Sequence, residues 1–459
     1  MNATFSIAED HYAVSARGQN DSKSALKFIT CGSVDDGKST LIGRLLVDSK
    51  AVLQDHLAGV QRGGETDLAL LTDGLSAERE QGITIDVAYR YFATEARKFI
   101  IGDAPGHEQY TRNMVTAASS ADAAVLLVDA TKLDWRNPAL ALLPQTRRHS
   151  LLAQLLRVHS LVFAINKLDA VPDPALAFTH IEAALAAFCE SAGITVRATV
   201  PVSALKGWNV VDAHTGWCDY HGPTLLQVLE ELPNTPSDTG LPLALPVQWV
   251  EKSAASSDTR QGRRVFWGRV AAGNVAVGTA VQIFPGGQRA TVAQVLDHAR
   301  RPADVAAGRS AGVILDREVD VSRGDWIMAD VAALPAVGAE VAPFGNGAVA
   351  PDAAWPAVRS LHATVAWLDD EPLVAGRVYW ALHGHRWVKA KVTAVVHRLN
   401  IHNLDKEPAT ALEPNAIGHI ELQLQEPIPG AAFERARVLG ALILVDTASH
   451  KTAGAVLIH

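Results

Sequence analysis

The chain has 459 residues and a formal net charge of −8 at pH 7, and an acidic surface argues against nucleic acid as a partner. Its length exceeds what one hydrophobic core usually organises, and a content of 48% hydrophobic and 20% charged residues excludes a disordered or fibrous protein. We therefore expect two or three domains. The spacing of its three cysteines fits neither a disulfide framework nor a zinc site, and no apolar run reaches the roughly 18 residues of a membrane span. We expect the protein to be cytoplasmic and to have no membrane partner.

After an N-terminal extension at residues 1–25, the first predicted domain covers residues 26–237. Its apolar runs alternate with amphipathic stretches, and each run is followed by a polar motif. The runs are LKFITCG, RKFIIGDAPG, AAVLLVDA, SLVFAINKLDA and TVRATVPVSAL. This alternation is typical of βαβ units, so we predict an α/β domain with a mostly parallel sheet and helices on both faces.

A phosphate-binding loop is predicted directly after the first run. Residues 32–39, GSVDDGKS, match the pattern G-x-x-x-x-G-K-[ST]. Its glycines let the backbone curl so that successive N–H groups face an anion, and the helix that follows directs its positive end to the same place. Lys38 would neutralise the β- and γ-phosphates, and Ser39 would ligate Mg²⁺. The predicted phosphate-binding residues are Gly32, Ser33, Val34, Asp35, Asp36, Gly37, Lys38, Ser39 and Thr40.

Two further segments are predicted to detect the γ-phosphate. In the first, Thr84 can offer its hydroxyl to Mg²⁺ and its N–H to the γ-phosphate, although a threonine there also suits a plain β-strand. In the second, DAPGH follows a strand, so Asp103 can hold the metal through water and the N–H of Gly106 can approach the γ-phosphate. His107 would lie near the attacking water. We therefore predict Lys38, Thr84 and His107 as the catalytic residues.

The next motif selects the base. Asn166, Lys167 and Asp169 follow the strand SLVFAI, and the carboxylate of Asp169 can accept hydrogen bonds from N1–H and the 2-amino group of guanine. Adenine would leave that carboxylate unpaired, so the motif favours GTP over ATP. After the strand VPV, the backbone N–H groups of Ser203, Ala204 and Leu205 would close the guanine pocket.

The linker ELPNTPSDTGLP ends the α/β pattern, and the remaining segments alternate apolar and polar positions between glycine pairs. This pattern is typical of short antiparallel strands. We predict two β-barrel domains, at 238–346 and 347–459, with a barrel and a sandwich as the alternative. On one predicted strand, His383 and His385 are expected to be surface residues rather than metal ligands.

The motifs together resemble the translation-factor class of P-loop GTPases, and within it the GTP-binding large subunit of the heterodimeric sulfate adenylyltransferase. The resemblance is dense over residues 26–232, where it includes FITCGSVDDGKSTLIGRLLVDSK and QTRRHSLLAQLLRVHSLVFAINKLDA. It implies that a small catalytic subunit makes adenosine 5′-phosphosulfate and pyrophosphate from ATP and sulfate while this chain hydrolyses GTP to drive that reaction. It also implies that Val34 and Ile83 form an apolar gate that keeps His107 from the water until the partner triggers hydrolysis.

Some features depart from that family or leave the function open. Residues 131–145 make a longer connection than usual, for which a surface loop is the default. Arg79 and Arg112 lie near the predicted switches, where a solvated or ion-paired role is expected. No second phosphate-binding motif occurs, so adenylylsulfate kinase activity should be absent. An elongation-factor-like GTPase that delivers tRNA, or a nucleotide switch with negligible turnover, remain the alternatives.

Overall fold

The computed structural model describes residues 25–50, 61–62, 65–66, 68, 87–104, 111–235, 238–252, 264–330, 332, 355–400 and 405–459. Within these residues the α-helices are α1 (Lys38–Asp48), α2 (Thr111–Ala118), α3 (Pro144–Leu155), α4 (Pro174–Ala192) and α5 (Leu225–Glu231). Two of them begin with proline, whose missing N–H costs nothing in the first helical turn. Helix α5 begins with a capping box between Thr224 and Gln227.

The amino-terminal part of the chain forms an α/β unit around one six-stranded sheet. Its strands, with a two-stranded hairpin beside them, are β1 (Leu26–Cys31), β2 (Gln61–Arg62), β3 (Glu65–Thr66), β4 (Ala88–Ala93), β5 (Lys98–Asp103), β6 (Ala123–Asp129), β7 (Ser160–Asn166) and β8 (Val196–Pro201). The sheet order is β4-β5-β1-β6-β7-β8, in which β4 runs antiparallel and the other strands run parallel. The parallel strands and their alternation with helices confirm the predicted α/β fold.

Helices cover both faces of this sheet. Strand β6 is buried along its whole length because alternate residues enter two different cores. Val125 and Leu127 pack with α1 and α5, whereas Leu126 and Val128 pack with α2, α3 and α4. A strand buried on both faces reads as an unbroken apolar run, which is why AAVLLVD shows no alternation of apolar and polar residues.

A first barrel follows, built from antiparallel strands. They are β9 (Ala244–Pro246), β10 (Trp249–Lys252), β11 (Arg264–Arg269), β12 (Asn274–Val275), β13 (Ala280–Phe284), β14 (Arg289–Leu296), β15 (Val305–Ala306), β16 (Ser310–Leu315) and β17 (Trp326–Ala329). The sheet order is β10-β11-β16-β14-β13-β17-β9, and its two edge strands, β10 and β9, are consecutive in the chain. Between them, Val247 N–H donates to Asp325 O and Gln248 N–H donates to Trp267 O, both at 2.8 Å, so one chain segment joins the two edges.

The second barrel closes by direct strand pairing. Its strands are β18 (Ala357–Trp367), β19 (Leu373–Val374), β20 (Val378–His383), β21 (Arg386–Leu399), β22 (Lys406–Glu407), β23 (Ala411–Leu412), β24 (Ile417–Pro429), β25 (Ala441–Asp446) and β26 (Thr452–Ile458). The order is β20-β25-β26-β18-β24-β21-β22, and β20 also pairs with β21. Closure removes exposed sheet edges, and the interior holds the fully buried rings of Trp367 and Tyr379.

The predicted pair of antiparallel barrels is therefore confirmed, whereas the boundaries at 237/238 and 346/347 stay predictions. In the part of the chain described above, no helix is long and apolar enough to cross a membrane. The described cysteines Cys31, Cys189 and Cys218 are buried free thiols.

The surface prediction for His383 is wrong. Its imidazole is fully buried, stacks on Trp326 of the first barrel at 5.1 Å between ring centroids, and places Nε2 3.0 Å from the carbonyl oxygen of Leu439. Burial lowers the pKa of His383 to about 4. His385, beyond the turn, is partly exposed. The alternation of apolar and polar residues along β20 predicts one face exposed to solvent. Contact between the two barrels instead covers the end of that strand, where His383 lies.

Candidate functional site

The polar motifs meet at one edge of the α/β sheet because parallel strands end on the same side. In the register of the sheet, Thr30 of β1 lies beside Asp103 of β5. Asp129 of β6 lies beside Asn166 of β7 in the same way. The ends of β1, β5, β6 and β7 therefore bring motifs more than 70 residues apart in the chain into one site.

The loop between β1 and α1 needs both of its glycines. Gly32 and Gly37 have φ values of 153° and 94°, a backbone region that side chains rarely adopt. A Cβ on Gly37 would lie 2.5 Å from Asn166 Nδ2, and one on Gly32 would lie 2.8 Å from the carbonyl oxygen of Leu127. Helix α1 then begins at Lys38. This tight curl before a helix N-terminus is the geometry that phosphate groups bind in other proteins.

Lys38 points its ammonium into the loop. Its residue is only 7% exposed, and Nζ lies 3.3 Å from Gly32 O and 2.8 Å from Ser33 O. Burial lowers the pKa of Lys38, while the charges of Asp103 and Asp36 raise it. A buried ammonium of this kind is well suited to meet the oxygens of a phosphate.

Asp36 is fully buried and turns its carboxylate into the protein, away from a bound nucleotide. Its Oδ2 accepts the N–H of Ser33 at 2.6 Å, and its Oδ1 accepts from Lys132 Nζ at 2.8 Å. Burial raises the pKa of Asp36, and the hydrogen bond and charge of Lys132 oppose that shift. We did not predict Lys132 from the sequence, although its place three residues after the strand-end Asp129 is a usable signal.

Asp103 lies at the predicted metal side of the site. It is buried, and its Oδ1 accepts the hydroxyl of Thr30 at 3.1 Å. Ser39 is partly exposed in the first turn of α1. A serine hydroxyl and a carboxylate are hard oxygen ligands, and this pair suits Mg²⁺ better than a softer metal. Among the described residues, no cluster of three or more His, Cys, Asp or Glu side chains offers an alternative metal site.

The remaining residues of the predicted phosphate loop are exposed or partly exposed. Asp35 is exposed and has a positive φ of 63°, and Val34 and Thr40 are partly exposed. The carbonyl oxygens of Val34 and Asp35 accept hydrogen bonds from Lys132 and Lys167, respectively.

Asn166 joins the phosphate loop to the base-selecting residues. Its Nδ2 donates to Asp36 O at 2.8 Å, and its Oδ1 accepts the N–H of Ala204 at 3.0 Å. Asp169 is largely covered and lies 3.7 Å from Lys206 Nζ, whose ammonium also lies over the ring of Trp208. The structure therefore brings the predicted base-selecting residues together at one place.

Hydrogen bonds hold the loop that contains Ser203, Ala204 and Leu205, the predicted pocket wall. Ser203 is buried, and its Oγ accepts the N–H of Lys206 at 3.1 Å. Arg44 of α1 donates to the carbonyl oxygens of Ala204 and Leu205. We did not predict Arg44, since nothing in its local sequence separates it from a solvated helical arginine.

Several predicted residues lie outside the described part of the chain. They are Arg79, Ile83, Thr84, Gly106 and His107. Arg112 belongs to α2, but its side chain is likewise outside the description. The expected surface loop at residues 131–145 begins with a 3₁₀ turn at Ala130–Lys132, continues through the buried side chains of Leu133, Trp135, Leu140 and Leu142, and leads into α3.

The fold and this strand-end site define a GTPase of the translation-factor class. Residues 23–235 match the family described as elongation factor Tu GTP binding domain, and residues 360–459 match the GTP-eEF1A C-terminal domain-like family. The first match covers the whole six-stranded sheet, and the second covers nearly all of the second barrel.

Within that class, the comparison with curated proteins is specific. The chain is 40% identical to sulfate adenylyltransferase subunit 1 of Laribacter hongkongensis, over 99% of this chain and 88% of that protein. It is 41% identical to the bifunctional enzyme NodQ of Rhizobium sp. over 96% of this chain and 65% of NodQ. It is also 41% identical to the bifunctional enzyme CysN/CysC of Xylella fastidiosa over 95% of this chain and 66% of that protein.

The chain belongs to the sulfate adenylyltransferase subunit 1 family. The predicted family, the GTPase class and the use of GTP are thereby confirmed. The chain spans about two thirds of the two bifunctional relatives. The expected absence of kinase activity stays a prediction.

Proposed function

We propose that this chain is the GTP-hydrolysing subunit of a heterodimeric sulfate adenylyltransferase. In this proposal its partner is a small catalytic subunit that makes adenosine 5′-phosphosulfate and pyrophosphate from ATP and sulfate. The observation that carries the proposal is the 40% identity to a sulfate adenylyltransferase subunit 1 over 99% of the chain. The phosphate loop and the base-selecting residues support it as a site for GTP.

The unfavourable equilibrium of the partner reaction explains why it would need GTP hydrolysis. A phosphate–sulfate anhydride is less stable than the phosphoanhydride broken to form it, so adenylyl transfer alone favours ATP and sulfate. Hydrolysis of GTP can drive the transfer only if each subunit shifts the state populations of the other. Such coupling is reciprocal at the level of binding.

Within the site, each residue has a proposed part in breaking the bond between the β- and γ-phosphates. The N–H groups of residues 32–40 and the ammonium of Lys38 hold the phosphates and stabilise their developing charge. Ser39, Thr84 and Asp103, the last through water, would hold Mg²⁺, which neutralises phosphate charge when bound. The N–H of Gly106 reports the γ-phosphate, and His107 orients the attacking water.

Two apolar residues would control that water. Val34 and Ile83 form a gate that keeps His107 away until the partner subunit triggers hydrolysis. The gate would prevent GTP hydrolysis without adenylyl transfer. At the other end of the nucleotide, Asp169 recognises guanine, with Asn166, Lys167 and the N–H groups of residues 203–205 completing the pocket.

A measurement of GTP turnover tests the proposal. Purified partner subunit with ATP and sulfate should raise the steady-state rate of GTP hydrolysis by this chain, and omission of sulfate should remove the increase. His107→Ala should bind GTP normally and lose the stimulated rate, whereas Lys98→Met, at the opposite end of β5, should match the wild type. Absence of any stimulation would overturn the coupling.

The matches to elongation-factor domains favour one second candidate, a GTPase that delivers tRNA. The net charge of −8 disfavours it, since phosphate contacts of lysine and arginine supply most of the affinity for nucleic acids. A filter-binding assay separates the two functions. Salt-sensitive tRNA binding that depends on GTP would replace the first proposal.

The proposed cellular location is the cytoplasm. The three described cysteines are free thiols, which suits a reducing compartment.

A further inference from the structure

Three successive carbonyl groups of the phosphate loop are each held by a side chain from another strand end. Lys132 Nζ donates to Val34 O, Lys167 Nζ donates to Asp35 O at 2.6 Å, and Asn166 Nδ2 donates to Asp36 O at 2.8 Å. Asn166 is the last residue of β7, and Lys167 and Lys132 lie just after the ends of β7 and β6, so all three donors are about a hundred residues or more from the phosphate loop.

These contacts set the direction of the loop N–H groups. In a planar trans peptide the C=O and the following N–H point in opposite directions. A side chain that holds Val34 O therefore turns the N–H of Asp35 to the other side, and the bond at Asp36 O does the same for the N–H of Gly37, whereas the N–H of Asp36 between them donates to Ser33 O at 3.4 Å. Successive N–H groups turned to one side form an anion-binding concavity.

Lys132 is itself firmly placed. It ends the 3₁₀ turn at Ala130–Lys132, which is fixed because Asp129 Oδ1 accepts the N–H and the hydroxyl of Thr131 at 2.9 and 2.6 Å. Its ammonium bonds the buried carboxylate of Asp36 at 2.8 Å and lies 3.9 Å from that of Asp129. Lys167 pairs with the same Asp129 at 2.8 Å. Two ammonium groups and two buried carboxylates therefore form an alternating series beside the loop, in the order Asp36, Lys132, Asp129, Lys167.

We propose that Lys132 is a positioning residue for the GTPase reaction: by holding Val34 O and the Asp36 carboxylate, it orients the N–H of Asp35 toward the nucleotide phosphates before they bind. The inference rests on the proposed nucleotide site. It adds a residue from the long connection at 131–145, for which the sequence offers no role. Loss of Lys132 removes preorganisation of the binding loop. Because bound phosphates can still draw the N–H groups into place before the chemical step, the cost falls on nucleotide affinity rather than on that step.

The test compares calorimetric affinities for GDP and for a non-hydrolysable GTP analogue. Lys132→Met, which keeps the stem, should raise both dissociation constants on the order of 10- to 100-fold, the loss typical of a hydrogen bond from a charged donor. Lys132→Arg, which can bond a carbonyl and a carboxylate together, should restore most of the affinity. The matched control Lys98→Met should bind as the wild type does.

Two further readouts separate positioning from other roles. At saturating GTP the kcat of Lys132→Met should stay near the wild-type value while KM rises. The loss of affinity should persist at high salt, because screening weakens a distant charge but not a held carbonyl. An affinity loss that vanishes with salt, or no loss at all, would overturn the proposal.

Controls keep this result distinct from failure of the site itself. Lys38→Ala should abolish binding, and if it does not, the proposed nucleotide site is wrong. If Lys38→Ala abolishes binding and Lys132→Met does not weaken it, only the role of Lys132 is rejected. If Lys132→Met does not fold, Thr131→Val takes its place, since it loosens the turn that carries Lys132 and should weaken binding in the same direction. Unchanged affinity in a folded Thr131→Val would then reject the role.

Discussion

Asn166 and Asp36 are joined by a hydrogen bond of 2.8 Å, donated by the side-chain amide of the first to the backbone carbonyl of the second. The same amide accepts the N–H of Ala204 at 3.0 Å. One buried side chain thus ties the predicted phosphate loop to the predicted wall of the guanine pocket. We expect a change at this residue to affect both halves of the proposed nucleotide site.

Asn166→Asp should weaken both GDP and GTP binding on the order of 10- to 100-fold, because it replaces the donor to Asp36 O with a second acceptor. Isothermal titration calorimetry measures the effect. Asn274→Asp, an exposed position on β12, is the matched control and should leave the affinities unchanged. Equal affinities in Asn166→Asp and the control would contradict the bridging role.

Asp169→Asn should shift the base preference from guanine to xanthine. In the proposed pocket the carboxylate would accept two N–H groups of guanine, whereas an amide can donate to the 2-carbonyl of xanthine, so GTP affinity should fall about 100-fold and affinity for xanthosine triphosphate should rise. Competition between the two nucleotides measures the preference. Asp173→Asn, which retains its cap on α4, serves as the control. An unchanged preference for GTP would remove Asp169 from the pocket.

The free energy of unfolding should fall as the pH drops from about 6.5 to 4. The pKa of His383 is lowered from 6.5 to about 4 by burial, so in that window the unfolded chain takes up a proton that the native imidazole does not. This residue alone accounts for up to about 3 kcal/mol. Denaturant titrations followed by circular dichroism at each pH measure the loss of stability.

In His383→Gln the dependence on pH should be shallower over the same window, while the exposed His450→Gln should follow the wild type. His149, whose pKa burial lowers to about 3, adds a dependence of the same sign that His383→Gln leaves in place. An identical slope in His383→Gln and wild type would show that His383 is not held neutral by the barrel contact.

Arg437→Met should lower the free energy of unfolding by about 2 kcal/mol without changing nucleotide affinity. Arg437 Nη2 donates to Leu156 O at 2.9 Å and to Ser119 O at 3.3 Å, so the second barrel supplies partners for carbonyls beyond α2 and α3. Urea titration measures the loss, and the exposed Arg317→Met is the control. If Arg437→Met is as stable as Arg317→Met, the contact does not stabilise the protein.

The elements that sequence analysis predicted well share a physical basis. Strands β6 and β7 are apolar runs because they are buried on both faces, and the phosphate loop is recognisable because its glycines serve backbone conformations that other residues avoid. Asp103 and Asn166 could be placed because they end parallel strands, whose carboxyl ends share one edge of the sheet, and Asp169 lies in the short 3₁₀ turn that follows Asn166.

Other residues could not be assigned from their local sequence. His383 occupies an alternating strand, and only its contact with Trp326 of the first barrel removes it from solvent. Arg44 is one of many helical arginines until the fold brings it to the carbonyls of Ala204 and Leu205.

The sequence by itself determined the class of protein and the family, because each motif is a short local pattern whose backbone geometry requires particular residue types, and it predicts which residues meet the nucleotide. Only the tertiary structure decided which side chains hold those motifs in place. Lys132 lies about a hundred residues from the loop it bonds, and its contact with that loop exists because β1 and β6 end side by side in the sheet.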